Sequence, residues 1–83
     1  MSRLLAEPEA VEVSAAGGVP QRLRLGDHRH RVERVFARWR VESDWWRSPV
    51  SREYWKLQLG DELVCEVYED RLSRGWWLSR IYD

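Results

Sequence analysis

The chain has 83 residues, six of them tryptophan, and its 14 basic side chains balance 14 acidic ones, so the formal charge is zero. That length suits one domain with a small core; no apolar run approaches the ~20 residues of a membrane span, and no uninterrupted apolar stretch marks a secretory signal. A single cysteine, Cys65, rules out an internal disulfide and makes a reducing cytoplasm the expected setting.

Residues 1–8 read as a flexible arm ending at Pro8, and residues 9–83 as one folded domain. In residues 9–14, Val11 and Val13 alternate with Glu12 and Ser14, the pattern of a half-buried strand. Gly17-Gly18 is the strongest hairpin signal in the chain. Beyond it, Leu23 and Leu25 alternate with Arg22 and Arg24, and Gly26-Asp27 forms the next turn.

From His28 to Val41 the apolar positions change phase: Val32 is even, whereas Val35, Trp39 and Val41 are odd. One extra residue near Glu33-Arg34 reconciles them, which is what a β-bulge supplies. Helical spacing also fits Val32, Val35, Phe36 and Trp39. The β-branched and aromatic composition favours a strand, and on that reading Arg34, Phe36, Arg38 and Arg40 share the outward face. Ser43 or Asp44 can cap a single turn through Trp45-Trp46-Arg47 that stops before Pro49.

The remaining segments alternate more plainly. In Arg52–Leu59, Trp55, Leu57 and Leu59 oppose Tyr54, Lys56 and Gln58. In Leu63–Glu69, Leu63, Cys65 and Val67 oppose Val64, Glu66 and Tyr68. Trp76–Tyr82 is a last strand whose faces are ambiguous, with Trp76, Leu78 and Tyr82 on one and Trp77 and Ile81 on the other. Short strands separated by glycine turns predict an all-β fold: a small antiparallel, strongly curled sheet or SH3-like barrel, with a Trp-rich corner between Trp39 and Trp55.

Catalytic chemistry has little to stand on. His28 and His30 fall on one side of a strand, but structural zinc takes four ligands and the sole cysteine is far downstream. Cys65 sits inside an apolar alternation, as an inert thiol does. Glu42 with Asp44, and Glu69 with Asp70, read as solvated pairs rather than as a general acid and base. No metal, cofactor, catalytic residue or small-molecule substrate is expected.

Binding chemistry is better represented. Residues 21–40 carry seven arginines against Asp27 and Glu33, a local excess of positive charge. Arg34, Phe36, Arg38 and Arg40, flanked by Trp45 and Trp46, form the candidate binding surface. Arginine with exposed aromatic rings suits single-stranded nucleic acid. It equally suits a protein interface, or arginines that merely cover apolar edges with their stems.

Several of these residues also carry a resemblance. Trp39-Arg40-Val41, then Asp44-Trp45-Trp46, then Arg52 and Tyr54 opening a strand, then Gly75-Trp76-Trp77-Leu78 and the Tyr82-Asp83 ending together resemble a small bacterial domain family of unassigned function. A similar arrangement closes the catalytically deficient Y-family polymerase relatives of bacterial mutagenesis cassettes. The resemblance covers about the last 50 residues, without any polymerase body. It implies an accessory module in DNA repair or translesion synthesis that acts by contact with a protein partner. Direct binding of single-stranded nucleic acid is the alternative.

Overall fold

A computed structural model describes residues 2–43 and 49–82, with the backbone alone at residues 2–6 and 61. The strands are β1 (Ser2–Ala10), β2 (Glu12–Ala16), β3 (Val19–Leu25), β4 (His28–Ser43), β5 (Val50–Leu59), β6 (Val64–Asp70) and β7 (Trp76–Tyr82), with one 3-10 turn at Gly60–Glu62. They form one antiparallel sheet in the order β1-β7-β6-β5-β4-β3-β2. It curls into a half-barrel, the strongly curled form expected from the alternation. No helix among the described residues is long and apolar enough to cross a membrane.

From β2 to β7 the chain is a meander. The β2–β3 hairpin closes through Gly17-Gly18, both with positive φ (60° and 82°), as a two-residue turn that follows strand twist requires. The β3–β4 turn, Gly26-Asp27, places positive φ at glycine only. β1 departs from this order. It pairs with β7, and Val11 N–H still donates to the Trp76 carbonyl at 3.1 Å, yet the next residue, Glu12, pairs with Arg24 of β3. One continuous segment thus runs from one sheet edge to the other, which the curl makes possible.

The sequence reading leaves residues 1–8 as an arm; the structure gives Ser2–Ala10 as a strand. Pro8 lies where the β1–β7 register is irregular, between Leu4 and Glu9. An edge strand tolerates a missing N–H there.

The core lies on the concave face. Leu23, Trp55, Leu57, Leu59, Cys65, Val67 and Leu78 are all buried, with Val11, Val13, Val32, Trp76 and Ile81 packed around them. Burial pushes the Cys65 thiol up to about 12, so it stays protonated and unreactive at neutral pH. In β7 the register shifts at Ser79: Leu78 opposes Val67, whereas Ile81 opposes Cys65 and Tyr82 opposes Val64. Ile81 therefore joins the core with Trp76 and Leu78, and Tyr82 faces outward. A bulge adds one residue to the alternation, which is why the faces of this strand are ambiguous in the sequence.

Two bulges matter in β4. One lies between Val32 and Arg34, where the change of apolar phase placed it. The second lies between Val35 and Ala37. It turns the strand by one residue, so Arg38 and Arg40 oppose Trp55 and Glu53 on the concave side, while Trp39 opposes Tyr54 on the convex side. Arg34, Phe36, Arg38 and Arg40 do not share a face. The expected turn through Trp45-Trp46-Arg47, and Trp45 and Trp46 themselves, lie outside the described residues.

Candidate functional site

Strand alternation sends one side chain of each adjacent pair inward and the next outward. In β5, Glu53, Trp55, Leu57 and Leu59 are buried, whereas Arg52, Tyr54, Lys56 and Gln58 are partly exposed on the convex face. Register carries Tyr54 opposite both Trp39 of β4 and Tyr68 of β6, and Tyr68 opposite Trp77 of β7. Four aromatic residues therefore occupy one line across four strands. Trp39 stacks on Tyr54 at 5.3 Å with planes 7° apart, and Tyr54 meets Tyr68 at 4.9 Å with a 37° tilt. Such pairs contribute about 0.5–1.5 kcal/mol each beyond area burial.

Cations cover this row and the residues beside it. The Arg52 guanidinium lies 4.6 Å over the Tyr68 ring, and its Nη1 donates to Tyr54 Oη at 3.4 Å. Burial pushes the Tyr68 phenol up, with Arg52 opposing the change. Lys56 Nζ lies 4.5 Å from the Tyr82 ring centre and the Arg80 guanidinium 5.7 Å from it. Arg34 sits 5.8 Å over Phe36. Glu66 ties the far side together, accepting from Ser79 Oγ at 2.9 Å and from Tyr82 Oη at 3.3 Å. Two shallow depressions flank the row. One, of about 360 Å³, is lined by Phe36, Lys56, Val64 and Tyr82; the other, of about 230 Å³, by Pro8, Arg52, Tyr68, Asp70 and Trp77.

One border of this face is the free side of β4. β3 pairs with β4 only from His28 to Arg31, and β5 pairs with it from Val32 to Ser43. Beyond Arg31, the β3 side of β4 has no strand partner among the described residues. Among the described residues, four of the five exposed large apolar side chains stand on this stretch: Val35 (41%), Phe36 (45%), Trp39 (37%) and Val41 (41%). Register sets Val35 opposite Leu57 on the concave side, whereas Trp39 and Val41 lie on the convex side with Phe36, a local concentration of exposed apolar surface. Two bulges and several charges on the same stretch discourage simple strand addition, so a partner would read its side chains.

Arg38 and Arg40 belong to a different structure. Glu53 is only 7% exposed on the concave face. Arg40 donates to its Oε1 from Nη2 at 3.0 Å and Nε at 3.2 Å, while Arg38 Nε lies 3.4 Å from Oε2. Arg38 also lies 4.6 Å over the Trp55 ring. Burial disfavours the Glu53 anion, but hydrogen bonds and charge from Arg40 and Arg38 together outweigh it and hold the carboxyl below its usual range. These arginines lie over Glu53 and the Trp55 ring at the edge of the core.

Of the candidate surface residues, the structure brings Arg34 and Phe36 together on the convex face and sets Arg38 and Arg40 apart from them. Sequence reasoning missed the row of Trp39, Tyr54, Tyr68 and Trp77 as a unit. Its signal was present: Tyr54 and Tyr68 occupy the solvent phase of their strands, where polar residues are the norm. His28 and His30 have ring centres 6.5 Å apart near the start of β4. No family model, curated protein or solved structure matches the chain.

Proposed function

We propose that this chain is a non-catalytic binding module, a cytoplasmic accessory domain of bacterial DNA repair or translesion synthesis that holds a protein partner. The observation that carries this reading is the placement of Val35, Phe36, Trp39 and Val41 as exposed side chains on the unpartnered border of β4. Aromatic residues beside arginines are favoured interface anchors. Here Phe36 and Trp39 supply the rings, with Arg34 above one and Tyr54 stacked behind the other. The pathway follows from the sequence resemblance alone. A nucleic acid has less to grip on this part of β4, because Glu53 already holds Arg38 and Arg40.

The test is co-purification with the proteins of a mutagenesis cassette expressed together with this chain. A complex should form with the unaltered chain and be lost in Phe36→Ala/Trp39→Ala, whose circular dichroism should remain that of a β protein. A complex insensitive to both substitutions, or none with any cassette protein, would sink the reading.

A further inference from the structure

The β3–β4 hairpin contains an arrangement that folding alone does not favour. Arg22 lies directly opposite Arg31, and Arg24 directly opposite Arg29. All four are exposed and share the convex face, since Leu23 between them is 2% exposed and packs into the core. Like charges directly opposite one another in an antiparallel pair are destabilising. Among the described residues only Arg24 meets a carboxylate, Glu12 at 3.7 Å, on β2; the β2 residue opposite Arg22 is Ser14.

We propose that this quartet is a second site, which binds the sugar-phosphate backbone of single-stranded nucleic acid. The four arginines stem from a two-by-two array of backbone positions, their Cα atoms about 5 Å apart across the strands and about 7 Å apart along them. Each can take a phosphate oxygen pair in a bidentate contact. The array is preorganised: glycine turns close both of its hairpins and Leu23 fixes it to the body. A phosphate chain would also supply the negative charge that the fold itself withholds.

Single strands are favoured over duplex for two reasons. The hairpin is backed by the core, so it cannot enter a groove as a free two-stranded ribbon. The convex face of β4 also continues from Arg31 to Arg34 and the exposed Phe36 ring, where an unpaired base can stack. The site is centred on the β3–β4 hairpin and shares only the Phe36 ring and Arg34 with the protein-binding border of β4; its test is made at Arg22 and Arg31, which lie outside that border.

The test is fluorescence anisotropy of the full chain with labelled oligo(dT) across a salt series, beside Arg22→Gln/Arg31→Gln. Three to four phosphate contacts give a log–log slope of about −2 to −3 for single strands, an affinity loss of roughly 15- to 60-fold between about 50 and 200 mM salt. The double variant should flatten the slope by about 1.4. Its melting temperature without DNA should be unchanged or higher, because repulsion is relieved. An unchanged slope in the variant, absence of binding, a lowered melting temperature, or equally tight quartet-dependent binding of duplex of the same length would each overturn the proposal.

Discussion

β4 uses arginine in two opposite ways. Near its start, Arg29 and Arg31 face other arginines on the convex surface, where little in the fold neutralises them. Near its end, Arg38 and Arg40 converge on a buried carboxylate at the edge of the core. The residue type and the strand are the same; the first group falls on odd positions and the second on even ones, and the two bulges between them cancel, shifting only the intervening stretch that holds Arg34. A count of arginines therefore says little about function until register assigns each one to a face. Charge left unopposed is available to a ligand; charge aimed at Glu53 is already used in neutralising a buried carboxylate.

This comparison can be broken at several points. The largest effect belongs to the ring beneath Arg38: Trp55→Ala should cost about 3–5 kcal/mol in urea unfolding. Trp39→Ala, on the convex side, should cost about 1 kcal/mol, the worth of its stack on Tyr54. Equal losses would mean that the convex row is as much a core as the concave one.

Glu53→Gln should cost about 1–2 kcal/mol at neutral pH, a modest figure because the arginines it holds are half exposed. The pH dependence has a definite sign. The folded state depresses the Glu53 pKa, so its stabilisation is complete above the ordinary glutamate value of ~4.3 and disappears as pH falls through the lower folded value. Unfolding curves of the two proteins should therefore converge in acid. A gap that persists there would assign the loss to packing. Smallest of all is a contrast of sign: Arg38→Gln should lower stability in urea unfolding, whereas Arg31→Gln should leave it unchanged or raise it by the ~0.2–1 kcal/mol that opposed charges cost.

The same bulges explain what was legible in the sequence. β5 and β6 keep strict alternation, so their inward and outward residues could be assigned directly. The bulge at Glu33 was visible because Val32 and Val35 fall in different phases. The bulge at Phe36 was hidden, because Val35 and Phe36 are both apolar and either could face the core. That concealment put Arg38 and Arg40 on the wrong side. In β7, Ser79 is small enough to suit either face, so the alternation showed ambiguous faces without locating the shift. β1 has neither alternation nor β-branched residues, and its strand depends on β7 lying alongside. The aromatic row is a property of four registers at once, which no single stretch of sequence displays.

The passage of β1 and β2 between opposite sheet edges has a kinetic consequence. Every pairing from β2 to β7 joins neighbours in the chain and can form by successive short loop closures. The β1–β7 pairing brings Ser2 to Tyr82, so its loop-closure entropy is compensated only once the meander exists. β1 should then dock late, and substitutions in it should change the unfolding rate more than the folding rate. Native-state hydrogen exchange should find its amides among the first to open. Opening there would uncover the outer edge of β7 before any other pairing is lost, a template to which an unrelated strand could add.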